Sequence, residues 1–233
     1  GPADFVGEVI AAFRAADAAM LVVGADVGVQ IETIKLWRRL SAQGMPRFVF
    51  VNKMEKERAD FDKSVSDLTE KFKVSFIPVV IPLGAGAGFT GVVDLVDQKA
   101  FVDGKETPVP DAAKAEVDAA RQKLVESAAE GDDTLIEKFF AEGSLTPDEI
   151  RLGLAGGVKA GKIVPVLCGA ALSGAGVASL LDFVAYACPS PEGEQVKEGG
   201  HSSCFIFKTA LDQFTGKLSY FKVMSGRIAA DVD

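Results

Sequence analysis

The apolar positions of the chain switch repeatedly between helical spacing and short continuous runs. Phe5, Val9, Ile10 and Phe13 fall on one helical face, and residues 18–23 then read as a buried strand. Ile31, Ile34, Trp37 and Leu40 predict a second helix, with Gly44 placed to terminate it. Residues 47–51 form the next predicted strand. Phe61, Val65, Leu68 and Phe72 follow at spacings of four, three and four, the mark of a third helix. Residues 77–81 read as one more short strand. Strands and helices in this alternation predict an α/β domain on a mainly parallel sheet.

The alternation breaks over residues 84–159. A Gly-rich turn leads to a short strand at 91–96 and then to polar helices, the first with Leu124 and Ala128 on one face, the second with Leu135 and Phe139. Thr146-Pro147-Asp148-Glu149 has the form of a capping box, with Thr146 as cap, Pro147 at the first helical position and Glu149 reaching back. This stretch is expected to be an α+β insertion between two strands of the parent sheet. The α/β pattern resumes with an apolar strand at 163–167 and a helix at 176–186 that ends before Pro189-Ser190-Pro191. Residues 192–203, rich in Gly and charge, read as a linker. Strands at 204–208 and 218–223, separated by a turn near Phe214-Thr215-Gly216, are expected to open a β domain. There are no internal repeats.

Composition keeps this picture of a globular chain: 48% of the 233 residues are hydrophobic and 25% charged. No apolar stretch approaches the ~20 residues a membrane-spanning helix needs, so no membrane association is expected. A net charge of −8 and a pI near 4.8 exclude a broad basic face, and direct DNA binding is not expected. Cys168, Cys188 and Cys204 are odd in number and have no CxxC spacing, which predicts reduced thiols in a cytoplasmic protein. The chain begins Gly1-Pro2-Ala3-Asp4 and stops straight after a strand-like run, and it is expected to be a piece of a longer protein.

The sharpest chemical feature is Asn52-Lys53-Met54-Glu55 at the end of the 47–51 strand. The carboxyl end of a parallel strand is where open α/β sheets bind ligands. The order Asn-Lys-X-acid suits guanine. The Asn amide can bond N7, the Lys stem can lie along the ring, and the carboxylate can accept from N1–H and the exocyclic amine. Adenine lacks that donor pair, so such a carboxylate discriminates between the bases. Alone, the four residues also read as a surface turn. Downstream, Cys168-Gly169-Ala170-Ala171-Leu172 ends a second buried strand and enters a loop with Gly174 and Gly176. A small-residue loop can bring a backbone N–H to the base carbonyl, although by itself it is also an ordinary strand-to-helix connection. In this order the two elements are far more specific than either.

Over nearly its whole length the chain resembles elongation factor G-like translational GTPases. The segment from Gly1 to Val9 resembles the one that follows the family's Asp-Thr-Pro-Gly motif. Ala25-Asp26-Val27-Gly28-Val29-Gln30, and then Val51-Asn52-Lys53-Met54-Glu55 through Asp60-Phe61, match the following blocks. Residues 163–172, Gly176-Val177, Leu180-Leu181-Asp182 and Pro189-Ser190-Pro191 match the end of the nucleotide domain. Phe205-Ile206-Phe207-Lys208 and residues 216–226 resemble the start of a β-barrel second domain. The resemblance implies a P-loop-NTPase-like, mainly parallel sheet that is incomplete. Its segments would be 1–83 and 160–191, with an inserted subdomain at 84–159, a linker at 192–203 and the first barrel strands at 204–233. It further implies that Asn52, Lys53 and Glu55 bind the guanine of GTP or GDP, with Ala170, Ala171 and Leu172 as the supporting loop.

This sequence departs from the family at several of these positions. The family's guanine-reading acid is Asp, and Glu55 is one methylene longer. The usual Ser is Ala170, and Ser173 stands where Lys is usual. Pro2 occupies the place of the residue that orients the hydrolytic water. Gly-Pro is also the remnant of a common tag-cleaving protease, so two readings of Pro2 stay open. No GxxxxGK[ST] occurs in the 233 residues, and the Mg2+-holding switch segment is missing as well. The chain alone is therefore not expected to hydrolyse GTP. The resemblance implies that the parent binds and hydrolyses GTP with Mg2+ on the ribosome to drive translocation, and that the inserted subdomain meets the ribosomal stalk. The alternatives are a non-hydrolysing ribosome-binding paralogue and a ribosomal-protection or release-factor relative. His201, in the linker, and the charged runs at 55–58 and 126–133 read as solvated surface.

Overall fold

The computed structural model describes residues 6–190 and 201–230, so Gly1, Pro2, Phe5 and most of the expected linker lie outside the described residues. The chain divides into two compact bodies, one of Ala18–Pro189 and one of Gly1–Asp17 with Ser190–Asp233.

The larger body carries the site. Its parallel sheet is formed by β1 (Ala19–Gly24), β2 (Arg47–Asn52), β3 (Phe76–Pro78) and, after a long excursion, β8 (Val164–Cys168). The order is β1-β2-β8-β3, with Val51 beside both Val23 and Cys168. Residues 48–51 and all of β8 are buried. β1 differs from the expected buried strand. Leu21 and Val23 are buried, but Met20 and Val22 are 45% and 51% exposed. Among the described residues it pairs with β2 alone; alternate side chains of a strand lie on opposite faces, and only the face of Leu21 and Val23 is covered.

Helices α2 (Ile31–Ala42) and α3 (Phe61–Phe72) follow β1 and β2. α2 buries Trp37 and Leu40, whereas Ile31, at its first turn, is 73% exposed. The helix ends in a Schellman motif: Met45 N–H donates to the Leu40 carbonyl and Gly44 N–H to that of Ser41, each at 3.1 Å, with Gly44 at φ 60°. α3 starts at Asp60, whose carboxylate accepts from Lys63 N–H at 2.9 Å. Trp37 stacks on Phe72 at 4.3 Å and carries the Arg47 guanidinium at 4.0 Å, a cluster that fixes α2 and α3 together.

The expected strand at 77–81 is two strands in two sheets. Val79 N–H donates to Val166 of the parallel sheet at 2.8 Å, while its carbonyl accepts from Leu95 N–H at 3.0 Å. From there β4 (Val80–Leu83), β5 (Gly91–Asp94), β6 (Lys99–Val102) and β7 (Lys105–Pro108) form an antiparallel meander. Helices α4 (Lys114–Ala129), α5 (Asp133–Glu142) and α6 (Pro147–Lys159) follow, and α7 (Val177–Ala187) comes after β8. The buried carboxylate of Asp94 accepts from Val96 N–H at 2.8 Å and Asp97 N–H at 3.2 Å. Burial pushes its acidity down, raising its pKa, and those two bonds partly offset the shift. Arg151 of α6 holds Asp97 through two bonds at 2.6 and 2.7 Å, tying the helices to the sheet.

The capping box of α6 forms as the sequence requires. Thr146 Oγ1 accepts from Glu149 N–H at 3.4 Å, and Thr146 N–H donates to Glu149 Oε2 at 2.8 Å. The Lys138 ammonium, 2.6 Å from Glu149, together with the Thr146 donors, lowers that carboxyl from 4.5 to about 2. A folded-state pKa below the unfolded value stabilises the fold above the unfolded value, and the contribution is lost as pH falls through the folded one. The stability difference between the native chain and Glu149→Gln is therefore expected to be full near neutral pH. It should shrink as pH falls from about 4.5 to about 2. Urea midpoints across that range measure it, and a difference that grows on acidification would contradict the assignment.

In the smaller body, α1 (Val6–Ala15) accompanies a hairpin of β9 (Ser203–Asp212) and β10 (Gly216–Ser225). Arg14 covers the Phe205 ring at 4.4 Å, and Lys222 pairs with Asp17. The apolar face expected for α1 is only partly covered, and none of its residues is fully buried. Asp212 shapes the turn by accepting from Phe214 N–H and Thr215 N–H, each at 2.9 Å.

Candidate functional site

The buried strand β2 ends at Asn52, and the chain turns at once. Lys53 takes a left-handed conformation at φ 66°, which costs a non-glycine residue roughly 1–2 kcal/mol. Two features hold the turn. Met54 is fully buried, and Lys56 N–H closes back on the Lys53 carbonyl at 3.1 Å. The turn is bonded to the loop that leaves β8: Met54 N–H donates to Gly169 C=O at 3.2 Å, and Gly169 N–H to Val51 C=O at 3.0 Å.

The Asn52 side chain completes the junction. Its Oδ1 accepts from Lys53 N–H at 2.8 Å and from Ala171 N–H at 2.9 Å. Both partners are donors, so the oxygen must face them and Nδ2 is left for another acceptor. Asn52 thus bridges two loops whose sequences are 119 residues apart.

The second loop is braced internally. Ala170 N–H donates to Ala175 C=O at 3.0 Å, and the Ala170 carbonyl accepts from Ser173 N–H and Ser173 Oγ, each at 3.1 Å. Ser173 therefore supplies a hydroxyl brace from a different position than the one Ala170 occupies. With Ala170 and Ala171 N–H engaged, the Leu172 N–H is the one of the three without a protein acceptor among the described residues. Leu172 is 95% exposed, an apolar side chain held out in solvent.

Glu55 lines a cleft of about 620 Å³ with Leu172, Ser173, Gly174 and Ala175. Its Oε2 is buried and has no hydrogen-bond partner among the described residues. Buried acceptors are almost always paired, and an unpaired one costs roughly 1–3 kcal/mol. A ligand with N–H donors relieves that cost once the side chain turns Oε2 into the cleft, since the atom has no accessible surface as it stands. The cleft has a further wall that sequence reasoning missed: Phe89, Thr90, Asp103 and Gly104 of the inserted sheet. Lys53, Asn52, Ala170 and Ala171 stand beside the cleft but do not line it.

Among the described residues, no group of three or more His, Cys, Asp or Glu side chains is placed to hold a metal ion. Cys168 is buried and burial raises its thiol pKa, so it is no nucleophile; its Sγ lies 3.5 Å from the Val80 carbonyl. His201 is exposed. No described helix is long and apolar enough to cross a membrane.

A model of the elongation factor Tu GTP-binding domain matches residues 1–190. The chain belongs to this family. Within the elongation factor Tu GTP-binding domain family it is 36% identical to elongation factor G of Thermotoga neapolitana over 98% of its length. It is 35% identical to that of Thermotoga maritima. A crystal structure of a protein from Thermus thermophilus superposes with a TM-score of 0.85 at 30% identity, again over 98% of this chain. The chain spans about a third of each relative, 36% of the curated proteins and 34% of the solved one. The site just described lies in the part matched by the GTP-binding domain family. A guanine nucleotide is thus the ligand to test against it.

The family's phosphate-binding motif has one near match here, Gly156 to Gly161-Lys162-Ile163. It lies at the end of α6 and leads into a strand. A phosphate cradle runs the other way, from a strand into a helix N-terminus, so this stretch is no substitute.

Proposed function

We propose that residues 18–189 hold a guanine base, and that the chain is the base-reading part of the nucleotide domain of an elongation factor G-type GTPase. The Asn52 bridge carries this reading. It fixes the Asn-Lys-X-acid turn against the Ala170–Leu172 loop and leaves Nδ2 for the base N7 and Leu172 N–H for the base carbonyl. The buried, unpartnered Glu55 Oε2 supports it, since N1–H and the exocyclic amine of guanine are the donors it lacks. The Lys53 stem and the exposed Leu172 side chain are the covers for the two faces of the ring.

In the same proposal, residues 1–83 and 160–191 belong to the nucleotide domain. Residues 84–159 are its inserted subdomain, 192–203 a linker and 204–233 the opening of a β-barrel domain. The whole protein acts in the cytoplasm on the ribosome, hydrolyses GTP with Mg2+ and drives translocation, and its inserted subdomain faces the ribosomal stalk. The present residues supply base recognition alone.

Base recognition is testable on this chain with mononucleotides, which need no phosphate cradle. GMP is expected to shift the amide resonances of Lys53, Glu55 and Leu172. IMP, without the exocyclic amine, should bind about tenfold more weakly, and AMP should give no saturable shift. Glu55→Ala is expected to weaken GMP and IMP both and to make their affinities equal. Equal shifts with all three nucleotides would refute guanine reading.

A further inference from the structure

We infer that the inserted antiparallel sheet is part of the base-recognition device: its Gly86 turn positions Glu55, and its β6–β7 turn at Asp103 sets what the base's amine edge meets. The inference rests on the guanine reading above and adds residues that the Asn-Lys-X-acid motif does not contain.

The first observation is a direct bond. Gly86 N–H donates to the Met54 carbonyl at 2.9 Å, one residue before Glu55. Gly86 is buried, with φ +60°. A Cβ there would stand 3.4 Å from the Lys56 oxygen and 3.5 Å from that of Glu57. The turn is thus bonded to the residue before Glu55 and lies alongside the two residues after it, at ordinary van der Waals range of a Cβ. With the bonds from Met54 to Gly169 and from Gly169 to Val51, one run of backbone hydrogen bonds links the inserted sheet, the guanine-reading turn and the β8 loop.

The second observation is independent. Phe89, Thr90, Asp103 and Gly104, all from the inserted sheet, line the same cleft as Glu55. Those residues are themselves tied to the Gly86 turn. Phe89 N–H donates to Gly86 C=O at 3.1 Å, and Asp103 N–H to Thr90 C=O at 3.3 Å. The Thr90 N–H and hydroxyl both reach the Leu83 carbonyl, at 2.9 and 3.3 Å. A displacement of the sheet therefore moves the cleft wall and the Met54–Glu57 turn together. The wall adds a second carboxylate, Asp103, to the one that reads the base, and no cation lines the cleft among the described residues. Such a site favours the donor-bearing edge of guanine over hypoxanthine, which offers one donor fewer.

Three variants of this chain test the coupling, each titrated with GMP and IMP by amide NMR. Gly86→Ala adds a side chain at a left-handed position against Lys56. Asp103→Lys puts an ammonium into the cleft, where it competes for Glu55. Asp103 is an exposed turn residue at φ 49°, a left-handed conformation that Lys53 and Lys73 also adopt in this chain, so the turn accepts lysine even where Gly86→Ala loses the fold. Gly88→Ala is the control, since a Cβ there meets nothing within 4 Å. The GMP-to-IMP affinity ratio is expected to fall severalfold in Gly86→Ala and in Asp103→Lys, and to stay at the native value in Gly88→Ala. A general loss of packing would weaken both nucleotides alike and leave the ratio unchanged. A native ratio in Asp103→Lys, and in Gly86→Ala wherever its spectrum is folded, overturns the inference while leaving the base reading intact. A native chain that binds GMP and IMP equally overturns the base reading, and the inference with it.

Discussion

Asn52→Ala is expected to destabilise the chain by about 1–3 kcal/mol and to remove saturable GMP binding, whereas Asn52→Asp should remove the binding and spare most of the stability. The two substitutions separate the two ends of one side chain. Oδ1 accepts from Lys53 N–H and Ala171 N–H, and each neutral bond contributes about 0.5–1.5 kcal/mol net. Alanine deletes both bonds and frees the β8 loop from the guanine-reading turn. Aspartate keeps an acceptor in the same place but has no donor for the base N7, and it adds a negative charge beside an anionic ligand. Thermal midpoints of the three chains and GMP titrations measure the two effects separately. Native GMP binding by Asn52→Asp would show that the amide serves the fold alone, and the proposed site would lose its anchor.

Which parts of this architecture can be read from sequence follows from the range of the interactions that set them. α3 was legible because Phe61, Val65, Leu68 and Phe72 repeat at helical spacing, while its cap at Asp60 emerged with the structure. The α6 start was legible for the same reason, since a capping box spans only four residues. The split at Val79 was not legible. Residues 76–83 form one apolar run, and both strands cut from it are covered, so no change of period marks the point where the chain leaves one sheet for another. β6 and β7 were missed because residues 99–108 are short and largely polar. Asp103-Gly104, with φ of 49° and 75°, is a hairpin-turn dipeptide that could have located them.

The site divides along the same line. Asn52, Lys53 and Glu55 announce themselves through chemistry carried on four adjacent residues. Family resemblance implied only that the Ala170–Leu172 loop supports the Asn52 turn; the 2.9 Å bond from Ala171 N–H to Asn52 Oδ1 appears with the fold. The cleft wall at Phe89, Thr90, Asp103 and Gly104 has no local signature. It arises only when the inserted sheet folds back on the 53–57 turn. Ala170 lacks the hydroxyl of the family's usual Ser, and only the folded loop shows Ser173 Oγ on the Ala170 carbonyl.

Met54→Ala is expected to cost about 2–5 kcal/mol, the range for truncating a buried side chain that leaves a cavity. The magnitude is large against the ~5–15 kcal/mol that holds a typical domain together. Met54 is fully buried, its N–H is given to Gly169 and its carbonyl receives Gly86 N–H. The side chain is the one part of the Asn-Lys-Met-Glu turn committed to the core, so its packing sets how far Glu55 stands from the sheet. Met54→Leu, nearly equal in volume, should cost less than about 1.5 kcal/mol and keep the GMP-to-IMP preference. Urea unfolding gives the stabilities, and amide exchange of residues 53–57 reports the turn directly. The alanine variant is expected to exchange faster there even under conditions where the β8 amides stay protected, because cavity relaxation starts where the packing is lost. Unchanged exchange at 53–57 with a full loss of global stability would mean that the turn is held by its hydrogen bonds alone and that Met54 acts only on the core beneath it.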